Sequence, residues 1–278
     1  MHETTLHIAG KAWRVDTDAP VELAIPLDFR GEQPRAFSLP PAGAETVEAG
    51  GFVGDTRRGG AVNCETVTVT PHGNTTHTEG VGHISQERIF VGDVEVAPLV
   101  PAVVLCVGTR RLGDVDEQYR GEFDEDDEVI CRAELEKVLA ATGVNDAFLQ
   151  AVIIAVDDER VGGVVDYSGT NPPYLTDEAV GWLREVGCDH LLVELPSVDR
   201  ESDGGTVPNH HQFFDVTQGE TPGEESRQRT ITEMIQVPRH LEDGPVALSL
   251  RFARFRSDAA ASRPVVYGVS PKGPSVTS

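Results

Sequence analysis

Alternating and continuous apolar positions along the chain predict a protein rich in β-strands. Residues 65–70 read Glu-Thr-Val-Thr-Val-Thr, a β-branched alternation that is typical of a strand. Residues 7–16 flank an Ala-Gly pair at positions 9 and 10, which predicts a hairpin. Apolar runs predict five further strands. They are Ala102–Val107, Phe148–Val156, His190–Leu195, Val246–Phe255 and Val265–Val269.

Two segments carry the signals that start and stop helices. Arg132–Thr142 lies directly before Gly143, and Asp177–Val186 follows the N-cap residue Thr176 and ends before Gly187. Strands and helices together predict an α/β protein. With 278 residues, of which 39% are hydrophobic, the chain can bury one large core or two smaller ones. Because no low-complexity linker divides it, we expect a single domain over residues 1–278.

The charge balance narrows the range of binding partners. The chain has 23 basic and 46 acidic residues and a formal net charge of -23, and only three of its residues are lysines. This balance disfavours nucleic acid and anionic membranes, which bind basic surfaces. It resembles the composition of proteins from salt-accumulating halophiles, in which hydrated carboxylates keep the surface soluble. We therefore expect the chain to lose structure at low salt.

Cysteine spacing and hydropathy indicate the compartment. The four cysteines are widely separated and form no CxxC pair, as expected of reduced core thiols in a cytosolic protein. The N-terminal residues show no signal-peptide pattern, and the most apolar run, residues 96–107, is short and interrupted by Pro98 and Pro101. We expect a cytoplasmic protein without a membrane span.

Residues 71–83 combine three histidines and a carboxylate with little apolar material. The first residues of this segment suit a turn, and an extended chain then points His77 and Glu79 to the same side. His72 and His83 flank that pair. Imidazole and carboxylate ligands suit Zn²⁺, Mn²⁺ or Fe²⁺, and such an ion can lower the pKa of bound water from about 15.7 towards about 7. The alternative is a set of separate surface histidines.

The same segment resembles the signature His-x-Gly-Thr-His-x-Asp-x-Pro-x-His of the metal-dependent cyclase/hydrolase family, which includes kynurenine formamidase (arylformamidase) and isatin hydrolase. Glu79 stands where the signature has Asp, Val81 where it has Pro, and Thr75 where it has Gly. His72 and His77 are five residues apart, one more than in the signature. The glutamate reaches one methylene further, and the extra residue weakens the assignment of His72 as a ligand.

Four later segments resemble the family in the same order. They are residues 170–179, which lead into a helix, 189–200, which end in Pro-Ser-Val-Asp-Arg, 209–211 (Asn-His-His) and 231–235 (Ile-Thr-Glu-Met-Ile). The resemblance covers about residues 20–270. It implies a swivelling β/β/α fold, that is, a mixed sheet with a few flanking helices, and a homo-oligomer, either a dimer or a tetramer.

The resemblance also implies roles for individual side chains. His83 would transfer protons, and His211 is a rival to His210 as a ligand. The spacing from His210 to the late glutamate implies an inserted loop around residues 215–229. Asp199 either orients a ligand histidine or caps the turn after its strand. The implied ligands of one or two divalent ions, zinc or manganese, are His72, His77, Glu79, His210 and Glu233.

Three functions remain open. The first is a metal-dependent hydrolase of an amide or formamide C–N bond, with arylformamidase activity on N-formylkynurenine as the best single hypothesis from the resemblance. The second is a lactam or lactone hydrolase or cyclase of the same family. The third is a metal-binding protein without catalysis. Serine-hydrolase, P-loop and dinucleotide-binding motifs are all absent from the sequence.

Overall fold

The structure, a computed structural model, describes residues 4–272. The strands are Thr4–Ile8 (β1), Lys11–Val15 (β2), Val21–Glu22 (β3), Gly43–Thr46 (β4), Glu48–Ala49 (β5), Phe52–Val53 (β6), Glu65–Thr68 (β7), His77–Glu79 (β8), Val100–Val107 (β9), Arg110–Arg111 (β10), Glu128–Ile130 (β11), Ala151–Val156 (β12), Tyr174–Leu175 (β13), His190–Val193 (β14), Thr230–Glu233 (β15), Gly244–Ser249 (β16), Ala259–Ala261 (β17) and Val265–Pro271 (β18). The α-helices are Pro71–Asn74 (α1), Arg132–Thr142 (α2), Asp177–Glu185 (α3), Pro208–Phe214 (α4) and Glu224–Gln228 (α5).

One mixed sheet of eleven strands organises the molecule. Its order is β1-β2-β18-β16-β9-β12-β14-β15-β8-β17, and β3 also pairs with β18. The central strands β9, β12, β14 and β15 run parallel, whereas β16, β8 and the strands beyond them pair antiparallel. The predicted α/β class, a mixed sheet with a few flanking helices, is confirmed.

The central strands are apolar at successive positions because both faces of the sheet are covered. In β9, Val103 and Leu105 belong to the cluster on one face, and Ala102 and Val104 to the cluster on the other. Helices α2, α3 and α4 contribute to the first cluster. Their side chains there include Leu135, Leu183 and Phe213.

Several predicted elements agree closely with the structure. The hairpin turns at Ala9 and Gly10, both of which have positive φ. Helix α2 has the predicted bounds and ends at Gly143, which adopts the left-handed conformation that glycine favours. Helix α3 is capped by Thr176, whose Oγ1 accepts a hydrogen bond from the Ala179 N–H at 3.1 Å.

Other predicted elements are shorter than expected. The run predicted over Val246–Phe255 is a strand only to Ser249, because its partner β18 begins at the residue paired with Ser249. The run predicted from Phe148 opens with a 3-10 turn, so β12 begins at Ala151. The strand from His190 ends at Val193 rather than Leu195. The turn predicted after Pro71 is the short helix α1, the inserted loop around residues 215–229 contains the short helix α5, and helix α4 was not predicted.

The cysteines and the helices bear on the predicted compartment. Cys131 and Cys188 are buried and Cys106 is half-buried, but Cys64 is exposed, so its assignment to the core was wrong. All four are free thiols in the described part of the chain. Among residues 4–272, no helix has the length and apolar character needed to cross a bilayer.

The acidic surface leads to a prediction about salt. Many of the exposed ion pairs contribute little in water, whereas a net charge of -23 repels itself throughout the molecule. Raising KCl shortens the screening length from about 10 Å at 0.1 M to about 3 Å at 1 M. We expect the thermal unfolding midpoint to rise over this range, as measured by circular dichroism. A midpoint that stays constant or falls would contradict the halophilic interpretation.

Candidate metal centre

Strands β8 and β15 bring three of the predicted ligands to one face of the sheet. The antiparallel register places Glu233 directly opposite His77, and the His77 Nε2 lies 3.3 Å from the Glu233 Oε2. Glu79, two residues along β8, shares that face. Thr78 points to the opposite face, where its hydroxyl lies 2.8 Å from the hydroxyl of Thr232. His77, Glu79 and Glu233 are all buried.

His72 joins this group through the single helical turn of α1. The Gly73 and Asn74 N–H groups both donate to the Thr70 carbonyl, at 3.0 and 3.1 Å. A helical turn advances about 1.5 Å per residue, against about 3.3 Å in a strand, so it absorbs the extra residue between the first two histidines. As a result, the His72 Nδ1 lies 3.2 Å from the Glu79 Oε2.

Helix α4 contributes His210, and Asp199 fixes its position. The Asp199 carboxylate accepts the backbone N–H groups of Asn209 at 2.9 Å and His210 at 3.1 Å, and its Oδ2 also lies 2.6 Å from the His210 Nδ1. Asp199 therefore orients the His210 ring and caps helix α4, rather than the turn after its own strand. The His210 Nε2 lies 3.1 Å from the Glu79 Oε1.

His211, the rival candidate, lies away from the cluster. Its Nδ1 is 2.6 Å from the Val216 carbonyl oxygen, and its ring lines a separate groove with Arg120 and Gln212. Neighbouring positions on a helix point about 100° apart, so only one of the two histidines can face Glu79. The structure places His210 there.

His83 stands at the wall of a cavity that reaches the cluster. It ends a 3-10 turn, its Nε2 lies 3.9 Å from the Glu79 Oε2, and its ring stacks on His72 with 4.3 Å between centroids. The cavity measures about 250 Å³ and is also lined by His210 and Glu233. Four larger grooves in the described part of the chain, of about 350 to 570 Å³, contain none of these residues.

Asp258 is the group in this cluster that sequence reasoning missed. Its Oδ2 lies 2.9 Å from the His72 Nε2 and 3.2 Å from the His83 Nδ1. It precedes β17, in a polar stretch with no periodic pattern, and it is one of 46 acidic residues in the chain. No signal in the sequence distinguishes it from the others.

Buried polar atoms without aligned hydrogen bonds show that these residues fit a cation. The His77 Nε2, the His210 Nε2 and both carboxylate oxygens of Glu79 are buried and have no hydrogen-bond partner. The other ring nitrogen of His77 lies 3.0 Å from the Thr75 carbonyl oxygen, so it carries the proton and leaves a lone pair on Nε2. Buried polar atoms of this kind are costly unless they bind a ligand.

The charges around Glu79 also favour a cation. Burial alone would raise the pKa of Glu79, but the neighbouring His83 and His210 hold that pKa well below its usual range. Burial lowers the pKa of His72, yet Asp258 and Glu79 outweigh it and raise that pKa to about 10. Carboxylates that stabilise a positive charge on the imidazole this strongly also attract a metal ion, and the proton and the metal ion compete for the same ring nitrogen.

The positions of the donor atoms suit one ion or two. One group of donors within 4.8 Å of one another comprises His72, His77, Glu79 and Glu233, and a second comprises Glu79, His83 and His210. The two oxygens of Glu79 face different partners, so this carboxylate can serve both groups. Mixed imidazole and carboxylate donors suit zinc, manganese or ferrous iron.

A cation bound here should stabilise the folded chain, because the unfolded chain has no assembled site. We expect zinc or manganese at about 100 times its Kd to add about 2.7 kcal/mol to the free energy of unfolding. The gain should be measured by denaturant unfolding with and without metal. The double variant His77→Ala with Glu79→Ala is the control and should show no gain. An equal gain in that variant would show that the metal binds at another site.

The comparisons with known proteins concern both sequence and fold. The Cyclase family model matches residues 10–200, which is more than half of the chain and includes the histidine segment but not His210 or Glu233. No curated protein sequence matches the chain.

Solved structures share the fold at low sequence identity. A protein described as a potential metal-dependent hydrolase with cyclase activity is 11% identical, with 92% of this chain and 99% of that chain covered and a TM-score of 0.58. An isatin hydrolase bound to the product analogue thioisatinate is 15% identical, with 91% and 92% covered and a TM-score of 0.60. Isatin hydrolase A from Ralstonia solanacearum is 16% identical, with 90% and 91% covered and a TM-score of 0.57.

These structural matches extend over nearly the whole chain and agree with the mixed sheet described above. The sequence match is independent of them and covers the segment that supplies His72, His77 and Glu79. The chain belongs to the Cyclase family.

Proposed function

We propose that this chain is a metal-dependent hydrolase that cleaves the C–N bond of a small amide, formamide or cyclic amide. The observation that carries the proposal is the buried histidine and glutamate cluster, whose unpartnered atoms lie beside a cavity with His83 at its wall. A bound divalent ion would supply Lewis acidity and lower the pKa of a water molecule. The ligands would be His72, His77, Glu79, His210 and Glu233.

The chain's own residues account for the proton transfers. His83 Nε2 accepts a proton from the attacking water as the water oxygen bonds to the carbonyl carbon. It then returns that proton to the amide nitrogen as the C–N bond breaks, which gives an acid and an amine. Asp199 holds the ring of His210 throughout, through its contact with Nδ1. Phe37 and Val207 add apolar surface to the cavity that receives the substrate.

Two substrate classes have support. The histidine signature supports a formamide such as N-formylkynurenine, with arylformamidase activity. The fold shared with isatin hydrolases supports a cyclic amide instead, whose hydrolysis opens the ring without releasing a second product. A cavity of about 250 Å³ is below the roughly 300–1,000 Å³ of typical ligand pockets, which favours a small substrate in either class.

The contrasting interpretation is a metal site that only stabilises the fold. Structural sites are usually closed by four protein ligands, whereas catalytic sites keep a position open to water. Here His72 and His83 retain 20% and 28% of their side-chain exposure, and both line the cavity. This access supports catalysis.

The experiment is an activity assay on protein purified at high salt with its metal content measured. N-formylkynurenine, simpler aryl formamides, isatin and a lactone are tested with added zinc or manganese. We expect turnover of at least one amide, lost on chelation and recovered when metal is restored. Full metal occupancy with no hydrolysis of any of these compounds would overturn the proposal.

We also infer from the family resemblance that the chain forms a homo-oligomer, a dimer or a tetramer. Light scattering coupled to gel filtration at high salt gives the mass in solution. A mass equal to the 29.9 kDa of one chain would contradict this inference.

A further inference from the structure

Asp258 is held rigidly beside the end of strand β8. Its carbonyl oxygen accepts the Gly80 N–H at 3.2 Å, and the carbonyl of the preceding Ser257 accepts the Val91 N–H at 2.9 Å. Immediately afterwards, Ala259 pairs with Glu79 in the β17–β8 register. The backbone on both sides of Asp258 is therefore fixed relative to the cluster of histidine and glutamate side chains.

One oxygen of Asp258 contacts two histidines at once. Its Oδ2 lies 2.9 Å from the His72 Nε2 and 3.2 Å from the His83 Nδ1. An ionised carboxylate only accepts hydrogen bonds, so both of these ring nitrogens must carry protons. The other nitrogen of each ring is then the one available to a metal ion or to a proton in transfer. Those atoms, the His72 Nδ1 and the His83 Nε2, lie 3.2 and 3.9 Å from the Glu79 Oε2.

The two rings also stack, with 4.3 Å between centroids and 28° between planes. A rotation of either ring would break its bond to Asp258 and disturb the other ring. We propose that Asp258 is a positioning residue that sets the tautomers of both His72 and His83. It would thereby link the affinity for metal, through His72, to proton transfer, through His83.

The part of this inference that concerns proton transfer by His83 rests on the proposed function. The part that concerns metal binding by His72 does not. The test therefore uses two readouts. The first is the Kd for zinc or manganese, titrated without substrate. The second is kcat at saturating metal and substrate. Asp258→Asn keeps the shape of the side chain but removes its charge. Asp93→Asn, in the nearby 3-10 turn, removes one exposed acidic charge and serves as the matched control.

We expect Asp258→Asn to weaken metal binding and to lower kcat by about 10–100-fold each, the range typical of groups that orient metal ligands. The unfolding midpoint and the KM should stay close to those of the parent. Asp93→Asn should change neither metal affinity nor kcat by more than twofold, on the order expected for a screened surface charge.

Two double variants separate the effect through His72 on metal binding from the effect through His83 on proton transfer. In a His83→Ala background, Asp258→Asn should no longer affect kcat but should still weaken metal binding. In a His72→Ala background, it should no longer affect metal binding. Unchanged affinity and kcat in Asp258→Asn, or effects that simply add to those of both histidine variants, would overturn the inference. If Asp258→Asn weakens metal binding but the parent protein hydrolyses no amide, only the proposed function would be overturned.

Discussion

Replacing Glu79 with glutamine is expected to remove the bound metal and to lower kcat/KM by more than about 10³-fold, beyond the 10–100-fold typical of groups that only orient ligands. The carboxylate is the centre of the cluster, since its two oxygens face His210 at 3.1 Å and His72 at 3.2 Å. Glutamine has nearly the same shape. It lacks the charge, however. Its amide N–H groups would also donate hydrogen bonds to the lone pairs of the neighbouring histidine rings, which a cation needs.

Metal content by elemental analysis and kcat/KM on the best substrate measure this effect. The matched control is Thr78→Val, one residue away on the same strand. It breaks the hydroxyl pair with Thr232 on the opposite face but leaves the cluster intact, so it should retain metal and activity. A Glu79→Gln protein with a full complement of metal would show that the ligand assignment is incorrect.

Replacing His83 with alanine should lower kcat by about 10²–10⁴-fold, the usual contribution of a general acid or base, while the metal content stays unchanged. The physical reason is position. His83 lies at the cavity wall and keeps 28% of its side-chain exposure, whereas His77 and His210 are buried. Exposure lets its ring exchange protons with substrate and solvent.

His211→Ala is the matched control for His83→Ala, because His211 faces a different groove and should leave kcat unchanged. Rapid-mixing kinetics and metal analysis on the same preparations give both readouts. If His83→Ala instead lost its metal, the residue would be a ligand, in line with its closeness to Glu79 and His210. A His83→Ala protein with the parent kcat would contradict the proton-transfer role.

The parts of the fold that were predictable from the sequence are those governed by local physics. Strands β9 and β12 are apolar at consecutive positions because both faces are buried, and α2 and α3 carry clear cap residues. Helix α4 was missed because it has only seven residues and its N-terminus is satisfied by the distant side chain of Asp199. That contact is invisible in a local pattern.

The candidate site was predictable only in part for the same reason. His77 and Glu79 follow from their spacing in an extended strand, and the resemblance added His210 and Glu233, which the structure places in contact with them. No rule of spacing brings Asp258 to His72, because their meeting depends on the pairing of β17 with β8. Residue 258 gains its neighbours from tertiary structure alone.

The position of β8 between β15 and β17 affects when this part of the chain can fold. Thr78 and Thr232, which contact each other across two of these strands, are 154 positions apart in the chain. During synthesis, His72 and His77 leave the ribosome long before strands β15 and β17 have been made. Such distant pairings close slowly, since the entropy of a long loop must be lost first. We therefore expect this centre to assemble late in folding, so that a bound cation would complete a nearly finished structure rather than start it.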